Sequence, residues 1–338
     1  MIKPWHKLNT LSRKDWMIIL LVLTAFVLPF HTEVTRYVIG GFLGVWLIDR
    51  LITRQLSSFL RTPLVWVVVL FYLLHVASLV YSGNKAQAFF DLERKLTLLL
   101  LPVAFAGSPV FSERSRNWVL IAFIAGSFIV TLICAGLFIQ KLTDPEYLSY
   151  FLRFPLFVLY RDFSNFNHPT YYSLFLELSI IFLLYLGHPR RKVIKKGWMI
   201  ILVVILTAVV FMVSSRAAIV SLVVIYLLTI LMCVRRWYVK AAFIAALIVA
   251  GIMALSNYRF DNYMDLTKRL VRGEEVEDAE LVESGAMRLL IWDVSLELSR
   301  SNLWWGIGTG DIREELIREY EKRDIRKYMQ RSYNPHSQ

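Results

Sequence analysis

Long apolar blocks separated by short polar stretches dominate the hydropathy pattern of this chain. A membrane-spanning helix needs roughly 20 mostly apolar residues. The blocks lie at residues 16–31, 36–49, 63–81, 96–107, 117–140, 170–187, 198–214, 217–234 and 241–256. The second and fourth blocks are short, and we expect them to recruit flanking residues such as Arg36, Arg94 or Lys95, whose long side chains reach the interface. The pattern predicts an all-α polytopic membrane protein with about nine transmembrane helices.

The last part of the chain differs in composition from the blocks before it. Residues 257–338 contain 13 Lys and Arg and 16 Asp and Glu, and part of this segment shows apolar residues at helical spacing. The whole chain, in contrast, is 57% hydrophobic with a mean hydropathy of +0.53. We therefore divide it into a transmembrane helix bundle at residues 1–256 and a large, mostly helical loop at residues 257–338.

The positive charges between the blocks alternate from one loop to the next. With the N-terminus in the cytoplasm, the cytoplasmic segments contain 17 Lys and Arg, whereas the short loops on the other side contain 8. Cytoplasmic loops of membrane proteins carry such an excess, while long loops cross regardless of charge. The pattern predicts a cytoplasmic N-terminus and an outer position for residues 257–338. It also explains the net charge of +12, so we expect no nucleic-acid partner.

The two cysteines give no sign of a disulfide framework or a metal site. Cys134 and Cys233 lie inside apolar blocks and are far apart in the sequence. We expect both thiols to pack as small hydrophobic side chains, and we expect no cofactor.

Arg216 lies in a very tight turn between the seventh and eighth blocks, and no Asp or Glu occurs within ten residues of it. A guanidinium this close to hydrocarbon is unfavourable unless it is paired, snorkels to the interface or faces a polar cavity. Two interpretations stay open. Arg216 either snorkels at a helix end, or it points into an outward cavity where its planar fork suits a phosphate group.

Arg288 lies in the first turn of a predicted helix that begins after an N-cap at Ser284. A positive side chain is unfavourable at the positive end of a helix. An anion bound at the same place, partly by free backbone N–H groups, would explain the arginine. Pairing with Glu283 or Asp293 is the alternative interpretation.

Two histidines stand beside prolines in the outer segments. His168-Pro169 begins the sixth block, after an aromatic-rich loop at residues 141–169 that we expect to lie partly along the interface as an amphipathic segment. His168 is either an interfacial imidazole beside a helix-starting proline or a functional residue. His336 follows Pro335 near the end of the chain, and an imidazole is easily poised as a base near neutral pH.

The run Gly306-Ile307-Gly308-Thr309-Gly310 looks like a nucleotide-binding loop, but no strand pattern precedes it and no GK[ST] follows. We interpret it as a tight turn that ends at a capping box formed by Asp311 and Glu314. On the charged helix that follows, the spacing predicts ion pairs Glu314–Arg318 and Glu319–Arg323.

The order of these motifs resembles the O-antigen ligase and polymerase superfamily. The resemblance covers about residues 160–338, and its segments are Ser214-Ser215-Arg216-Ala217, Arg288…Trp292, Trp305-Gly306-Ile307-Gly308-Thr309-Gly310 and Asn334-Pro335-His336. It implies a multi-pass enzyme of the bacterial inner membrane with a periplasmic active side. Such enzymes transfer a glycan from a polyprenyl (undecaprenyl) diphosphate, without a metal, to a lipid A-core sugar in the ligases or to another repeat unit in the polymerases.

The resemblance also implies roles for individual residues. Arg216 and Arg288 hold the donor diphosphate, and His336 acts as the base. Apart from the resemblance, we keep His168 as a possible donor-site residue. The chain ends two residues after His336, where family members continue with an apolar span, so we expect the sequence to be truncated. A polymerase stays open beside the ligase.

The alternative of another class is a transporter of a lipid-linked or anionic substrate. Glu177 and His75 lie inside predicted spans, and ionisable residues at membrane depth often mark transport pathways. Inverted repeats, which many transporters show, are not evident in the sequence.

Overall fold

The computed structural model describes residues 13–30, 32–53, 62–107, 112–191, 193–213, 216–233, 236–238, 240–241, 244–245 and 286–322. Within these ranges every regular element is a helix, which confirms the all-α class. The helices are α1 (Arg13–Val27), α2 (Thr32–Thr53), α3 (Pro63–Ala77), α4 (Lys85–Gly107), α5 (Glu113–Lys141), α6 (Pro145–Arg153), α7 (Pro155–Asp162), α8 (Pro169–Leu186), α9 (Lys196–Val213), α10 (Arg216–Cys233), α11 (Ala286–Ser301) and α12 (Ile312–Lys322).

Three of the described helices, α5, α8 and α9, are long and apolar enough to cross a membrane. Shorter apolar helical stretches lie at Asp15–Val27, Val65–Ala77 and Ala218–Met232. The chain is therefore a helical membrane protein. The full set of nine spans stays a prediction, and most of the ninth block lies outside the described residues.

The two short apolar blocks belong to longer helices, as expected. α2 has 22 residues and includes Arg36, while α4 has 23 residues and includes Arg94 and Lys95. At 1.5 Å per residue each helix is about 33–35 Å long. Both helices therefore extend past their apolar blocks into charged residues, which lie near the start of α2 and in the middle of α4.

Contacts between helices divide the chain into two compact units. The first unit comprises Met1–Phe59 and Gly107–Ala241, and its described helices are α1, α2 and α5 to α10. The second unit comprises Leu60–Ala106 and Ala242–Gln338, with described helices α3, α4, α11 and α12. The second unit thus combines a helix pair from the predicted bundle with the described part of the predicted outer loop.

The core of the first unit is organised around α8. Side chains at spacings of three and four residues, which form one helix face, are 0% or 1% exposed on α8: Tyr172, Leu176, Ile180, Leu183 and Leu186. The hydroxyl of Tyr172 donates to Thr131 Oγ1 on α5 at 2.8 Å. The polar end of this buried side chain therefore has a partner, as burial requires. The predicted burial of Cys134 is also confirmed, and the side chain of Cys233 lies outside the described part.

Contacts between loops show which helix ends of the first unit lie together, and they form two groups. Asn167, just before α8, donates through Nδ2 to the carbonyl oxygens of Pro29 (2.9 Å) and Phe30 (2.5 Å) in the α1–α2 turn. Arg191, after α8, pairs with Glu113 at the start of α5. The first group falls on the predicted outer side and the second on the predicted cytoplasmic side. Which side faces the cytoplasm stays a prediction from loop charge.

Candidate functional site

The first unit places His168 and Arg216 at helix starts on the same side. His168 is the N-cap of α8, and Arg216 is the first residue of α10. α8 and α9 have 18 residues each, so α9 returns the chain over about 27 Å to the level at which α8 begins. α10 starts there after two intervening residues. A hydrogen bond of 2.6 Å from Ser221 Oγ to Glu177 Oε2 joins α10 to α8.

Both predicted arginines lie in the first turn of a helix. Arg288 is the third residue of α11, which confirms that it lies in the first turn of a helix. The first N–H groups of a helix lack intrahelical partners and favour a bound anion, and an arginine adds positive charge at the same place. The side chains of Arg216 and Arg288 lie outside the described part of the structure, and so do Ser284 and His336.

His168 is held by local contacts at the start of α8. Its Nδ1 accepts a long hydrogen bond of 3.4 Å from Thr170 N. The ring lies edge-on to Tyr171 and Tyr160, with centroid distances of 6.2 and 6.5 Å. Pro169 is the first helical residue, which confirms the interpretation as a helix-starting proline.

The outer loop before His168 contains a bonded polar cluster at the end of α7. Arg161 donates to both carboxylate oxygens of Asp162 at 2.8 Å, and Tyr147 OH donates to Asp162 Oδ2 at 2.8 Å. The Arg161 guanidinium, with the Tyr147 hydroxyl, lowers the pKa of Asp162. Burial and the hydrogen bond to Asp162 raise the pKa of Tyr147 to about 12. Asp162 is therefore ionised and Tyr147 protonated at neutral pH, and the cluster fixes α6 against α7.

In the second unit the glycine run forms a tight turn, as predicted. Gly306 and Gly308 have φ angles of +71° and +99°, a region that strains other residues. Gly310 has no space for a side chain, because a Cβ there would lie 2.1 Å from the carbonyl oxygen of Asn84. The shape of the turn and its close contact therefore explain all three glycines of the run.

The glycine run lies against the turn between α3 and α4, at residues 78–84. Gly310 N donates to Ser82 Oγ at 3.1 Å, and Thr309 N donates to Ser78 Oγ at 3.3 Å. The hydroxyls of Thr309 and Ser78 also share a hydrogen bond. We call this arrangement the turn–turn contact.

Sequence reasoning missed the α3–α4 side of the turn–turn contact. Asn84 caps α4, since its Oδ1 accepts a hydrogen bond from Gln87 N at 3.0 Å. A polar residue of this type shortly after an apolar block is a sequence signal for such a cap. That signal could have marked the turn as a helix start. No local pattern indicates its partner, because Ser82 and Gly310 are 228 positions apart in the chain.

Asp311 and Glu314 bind the α3–α4 turn instead of forming the predicted capping box. Asp311 Oδ1 accepts from Asn84 N at 2.8 Å, and Oδ2 accepts from Gly83 N at 2.7 Å. Glu314 Oε1 accepts from Asn84 Nδ2 at 3.0 Å. The backbone N–H groups of Gly83 and Asn84, just before α4, reach Asp311 because the two turns lie together, and Glu314 accepts from the side-chain amide of Asn84. On α12, Arg318 pairs with Glu315 and not with the predicted Glu314, and Glu319 pairs with Lys322. The predicted pair Glu319–Arg323 stays a prediction, because Arg323 lies outside the described residues.

We expect the turn–turn contact to weaken in acid. Hydrogen bonds from the N–H groups of Asn84 and Gly83 hold the pKa of Asp311 below its usual value of about 4. A carboxyl whose pKa is depressed in the folded state contributes stability above its ordinary pKa and loses it as the pH falls through the folded-state value. The protection of the amides of residues 305–311 against exchange, corrected for the pH dependence of the intrinsic rate, should therefore fall below about pH 4.

At neutral pH, Asp311→Asn should speed amide exchange of residues 305–311 by about ten- to a hundredfold, because a hydrogen bond to a charged group contributes roughly 1.5–3 kcal/mol. Mass spectrometry of the detergent-purified protein measures it. Glu315→Gln is the matched control, since Glu315 pairs with Arg318 within α12. Equal exchange in the parent and the Asp311 variant would contradict the assigned role of the carboxylate.

An open cleft of about 780 Å³ lies beside the turn–turn contact and is lined by Tyr81, Gly83, Asn84, Lys85, Ala86, Ile307, Asp311, Glu314, Glu315 and Arg318. Its polar groups already bind one another, and Lys85 Nζ donates to the carbonyl oxygen of Val80 at 3.0 Å. We attribute the cleft to the packing of the two turns. Among the described residues, no group of three or more His, Cys, Asp or Glu side chains is placed to hold a metal ion.

Comparison with known families identifies the C-terminal part of the chain. Residues 201–338 match the family model described as O-antigen ligase. This stretch belongs to the O-antigen ligase superfamily. The match confirms the resemblance seen in the motif order and includes Arg216, Arg288, the glycine run and His336. No curated protein and no solved structure matches the chain.

The O-antigen ligase domain and the apolar helices together define the protein in general terms. Residues 201–338 match the O-antigen ligase family, whose members are glycosyltransferase-like ligases, and the apolar helices are typical of a membrane protein. Lipid-linked glycans and glycan acceptors are the substrates of this class.

Proposed function

We propose that the protein transfers a glycan from polyprenyl (undecaprenyl) diphosphate to a lipid A-core sugar or another sugar acceptor at the periplasmic face of the bacterial inner membrane. The observation that carries the proposal is the O-antigen ligase domain at residues 201–338, because it contains all three residues to which we assign the chemistry. The apolar helices support it, since a donor with a long isoprenoid tail needs access from the lipid.

In the proposed reaction, the oxygen of an acceptor hydroxyl bonds to the anomeric carbon of the donor glycan. The bond from that carbon to the diphosphate oxygen breaks, and the diphosphate leaves with the electron pair. His336 takes the proton of the acceptor hydroxyl. Arg216 and Arg288 bind the diphosphate and stabilise the negative charge that grows on it. Guanidinium groups then do what Mg²⁺ does in other transferases, so we expect metal-independent transfer.

The positions of the two arginines support this assignment. Arg216 begins α10 and Arg288 lies in the first turn of α11, so each stands beside backbone N–H groups that lack intrahelical partners. A diphosphate can accept hydrogen bonds from these groups as well as from the guanidinium. A positive side chain is unfavourable in the first turn of a helix, but it becomes favourable there when the diphosphate is bound.

We assign His168 to the donor site, because its helix α8 begins at the level where α10 begins with Arg216. His168→Asn separates this role from helix capping, since asparagine is among the best N-cap residues. The variant should keep the thermal stability of the parent and lose about tenfold in transfer, as expected when one hydrogen bond to a charged group is removed. If His168→Asn transfers glycan normally and only His168→Ala loses activity, His168 caps α8 and does not bind the donor.

A repeat-unit polymerase uses the same donor chemistry, so it stays the alternative within the family. The transporter alternative receives less support from the described residues. Glu177 accepts a hydrogen bond from Ser221, and His75 Nδ1 lies 2.8 Å from the carbonyl oxygen of Phe71 within α3. The Glu177 bond joins α8 to α10, and the His75 contact stays within its own helix.

Transfer by the purified full-length protein in detergent tests the proposal. The protein is mixed with a polyprenyl-diphosphate-linked glycan, EDTA and one of two acceptors, lipid A-core or a second lipid-linked repeat unit. A product in detergent demonstrates catalysis, because no compartments exist there. Extension of lipid A-core identifies a ligase, and extension of the repeat unit identifies a polymerase. Movement of the glycan across vesicles without any product in detergent would contradict the proposal and favour transport.

A further inference from the structure

Three consecutive large side chains are left uncovered between α11 and the glycine run. Leu303, Trp304 and Trp305 are 75%, 93% and 81% exposed. We call residues 303–305 the tryptophan segment. An uncovered apolar surface of this kind marks contact with another molecule or with a membrane, because its exposure to water is unfavourable.

Hydrogen bonds hold the tryptophan segment at the end of an apolar helix. Tyr81 OH donates to the carbonyl oxygen of Trp305, and Thr309 binds Ser78, the residue that directly follows α3. Helical hydrogen bonding continues past Ala77, since Ser82 N donates to the carbonyl oxygen of Ser78 at 3.0 Å. The segment therefore lies within about one side-chain length of the end of the third apolar block.

The sides of α3 show that this helix belongs in hydrocarbon. Six large apolar residues on it are between 47% and 67% exposed: Trp66, Val67, Leu70, Phe71, Leu73 and Leu74. Val80, which is 84% exposed, extends the same kind of surface to the end of the helical run. Lipid chains are the surroundings that such a helix needs, so its end marks the level at which the chain leaves the hydrocarbon core.

We propose that the tryptophan segment, together with Val80, inserts into the outer interfacial layer of the lipid bilayer and anchors the glycine run there. This layer is about 5–8 Å thick on each side of the hydrocarbon core, and the turn–turn contact holds the segment at that distance from the end of α3. Tryptophan is enriched at this depth, because its ring is apolar while its indole N–H reaches polar groups.

The lipid surface is the occupant that the surroundings of the segment favour. A protein or glycan partner would have to bind beside the end of an apolar helix, where lipid head groups already lie. The anchor is independent of glycan transfer, because it follows from the exposure and the hydrogen bonds of the second unit alone. Its test therefore measures depth in the bilayer and requires no substrate.

A nitroxide spin label at position 304 measures this depth. The full-length protein, with Cys134 and Cys233 replaced by alanine, carries Trp304→Cys and is placed in nanodiscs of phosphatidylethanolamine and phosphatidylglycerol. Molecular oxygen concentrates in lipid and a Ni(II) chelate stays in water, so the logarithm of the two accessibilities reports depth. We expect a positive value at position 304. The matched control is a label at Arg313→Cys on the exposed side of α12, where we expect a negative value.

Two results would overturn the proposal. A label at position 304 that meets the Ni(II) chelate as freely as the label at position 313 would place the segment in water. A label shielded from both reagents would show that protein covers the segment. If the label at position 304 prevents folding, Leu303→Cys is subject to the same expectations.

Discussion

Replacing either Arg216 or Arg288 with alanine is expected to lower glycan transfer by about 10²- to 10³-fold, the loss that follows removal of one donor that stabilises transition-state charge. Each variant should still be expressed and reach the membrane. The reason for the loss is the leaving group, since a diphosphate cannot depart readily while its growing charge is uncompensated. Initial rates with a polyprenyl-diphosphate-linked glycan and an acceptor, in detergent, measure the effect.

Substitution by lysine separates charge from geometry at these positions. Lysine keeps the positive charge but lacks the planar fork of arginine, so Arg216→Lys and Arg288→Lys should recover only part of the rate. Arg300→Ala is the control, because Arg300 is an exposed residue in the last turn of α11, the helix that carries Arg288 in its first turn. Normal transfer by both alanine variants would remove the arginines from the donor site.

Gly310→Ala is expected to disrupt the turn–turn contact and to abolish most of the transfer activity. A Cβ at this position would lie 2.1 Å from the carbonyl oxygen of Asn84, 2.8 Å from Ser82 Oγ and 3.0 Å from Ala88 Cβ. Backbone cannot yield as a flexible side chain can, so the two turns must separate. We expect transfer to fall by about 10²-fold or more, as when groups that position a reaction are misplaced by about 1 Å.

Limited proteolysis detects the same separation without any substrate, and cleavage between residues 301 and 312 should become faster in Gly310→Ala. Gly136→Ala is the matched control, since a Cβ there has nothing within 4 Å and should leave both measurements unchanged. The transfer rate and the cleavage rate of Gly306→Ala should lie between those of Gly310→Ala and Gly136→Ala. Gly306 has space for a Cβ, but its φ of +71° strains an alanine by roughly 1–2 kcal/mol. Full activity of Gly310→Ala would contradict the steric reason given for this glycine.

The elements that sequence reasoning predicted correctly are those with local causes. An apolar block is helical in a membrane because its backbone groups must bond within the segment. Pro169 starts α8, and the glycine run forms a turn, because φ preferences belong to single residues. The first-turn position of Arg288 also followed from the local pattern of apolar residues.

The elements that sequence reasoning missed have distant causes. Asp311 and Glu314 have the spacing of a capping box, yet both carboxylates bind the start of α4. Two adjacent N–H groups converge on Asp311 only after chain segments more than 220 positions apart have packed together. Local spacing could not reveal this competition, because the competing donors become available only in the folded second unit.

These observations give the glycine run of the O-antigen ligase domain a specific task. It holds the chain that follows α11 on the α3–α4 turn, and through that chain it positions the helix that carries Arg288. This task requires the turn–turn contact to be present in the working enzyme.

A disulfide across the turn–turn contact tests this claim most directly. Ser78→Cys and Thr309→Cys are introduced without Cys134 and Cys233, at positions whose hydroxyls share a hydrogen bond and whose Cβ atoms are expected within bridging distance. Transfer is then measured before and after oxidation in membranes. We predict that the bridge forms readily, that the bridged enzyme transfers glycan as fast as the reduced one, and that a control pair at positions 78 and 313 stays unbridged. Failure to bridge, or a bridged enzyme that is inactive, would contradict the account.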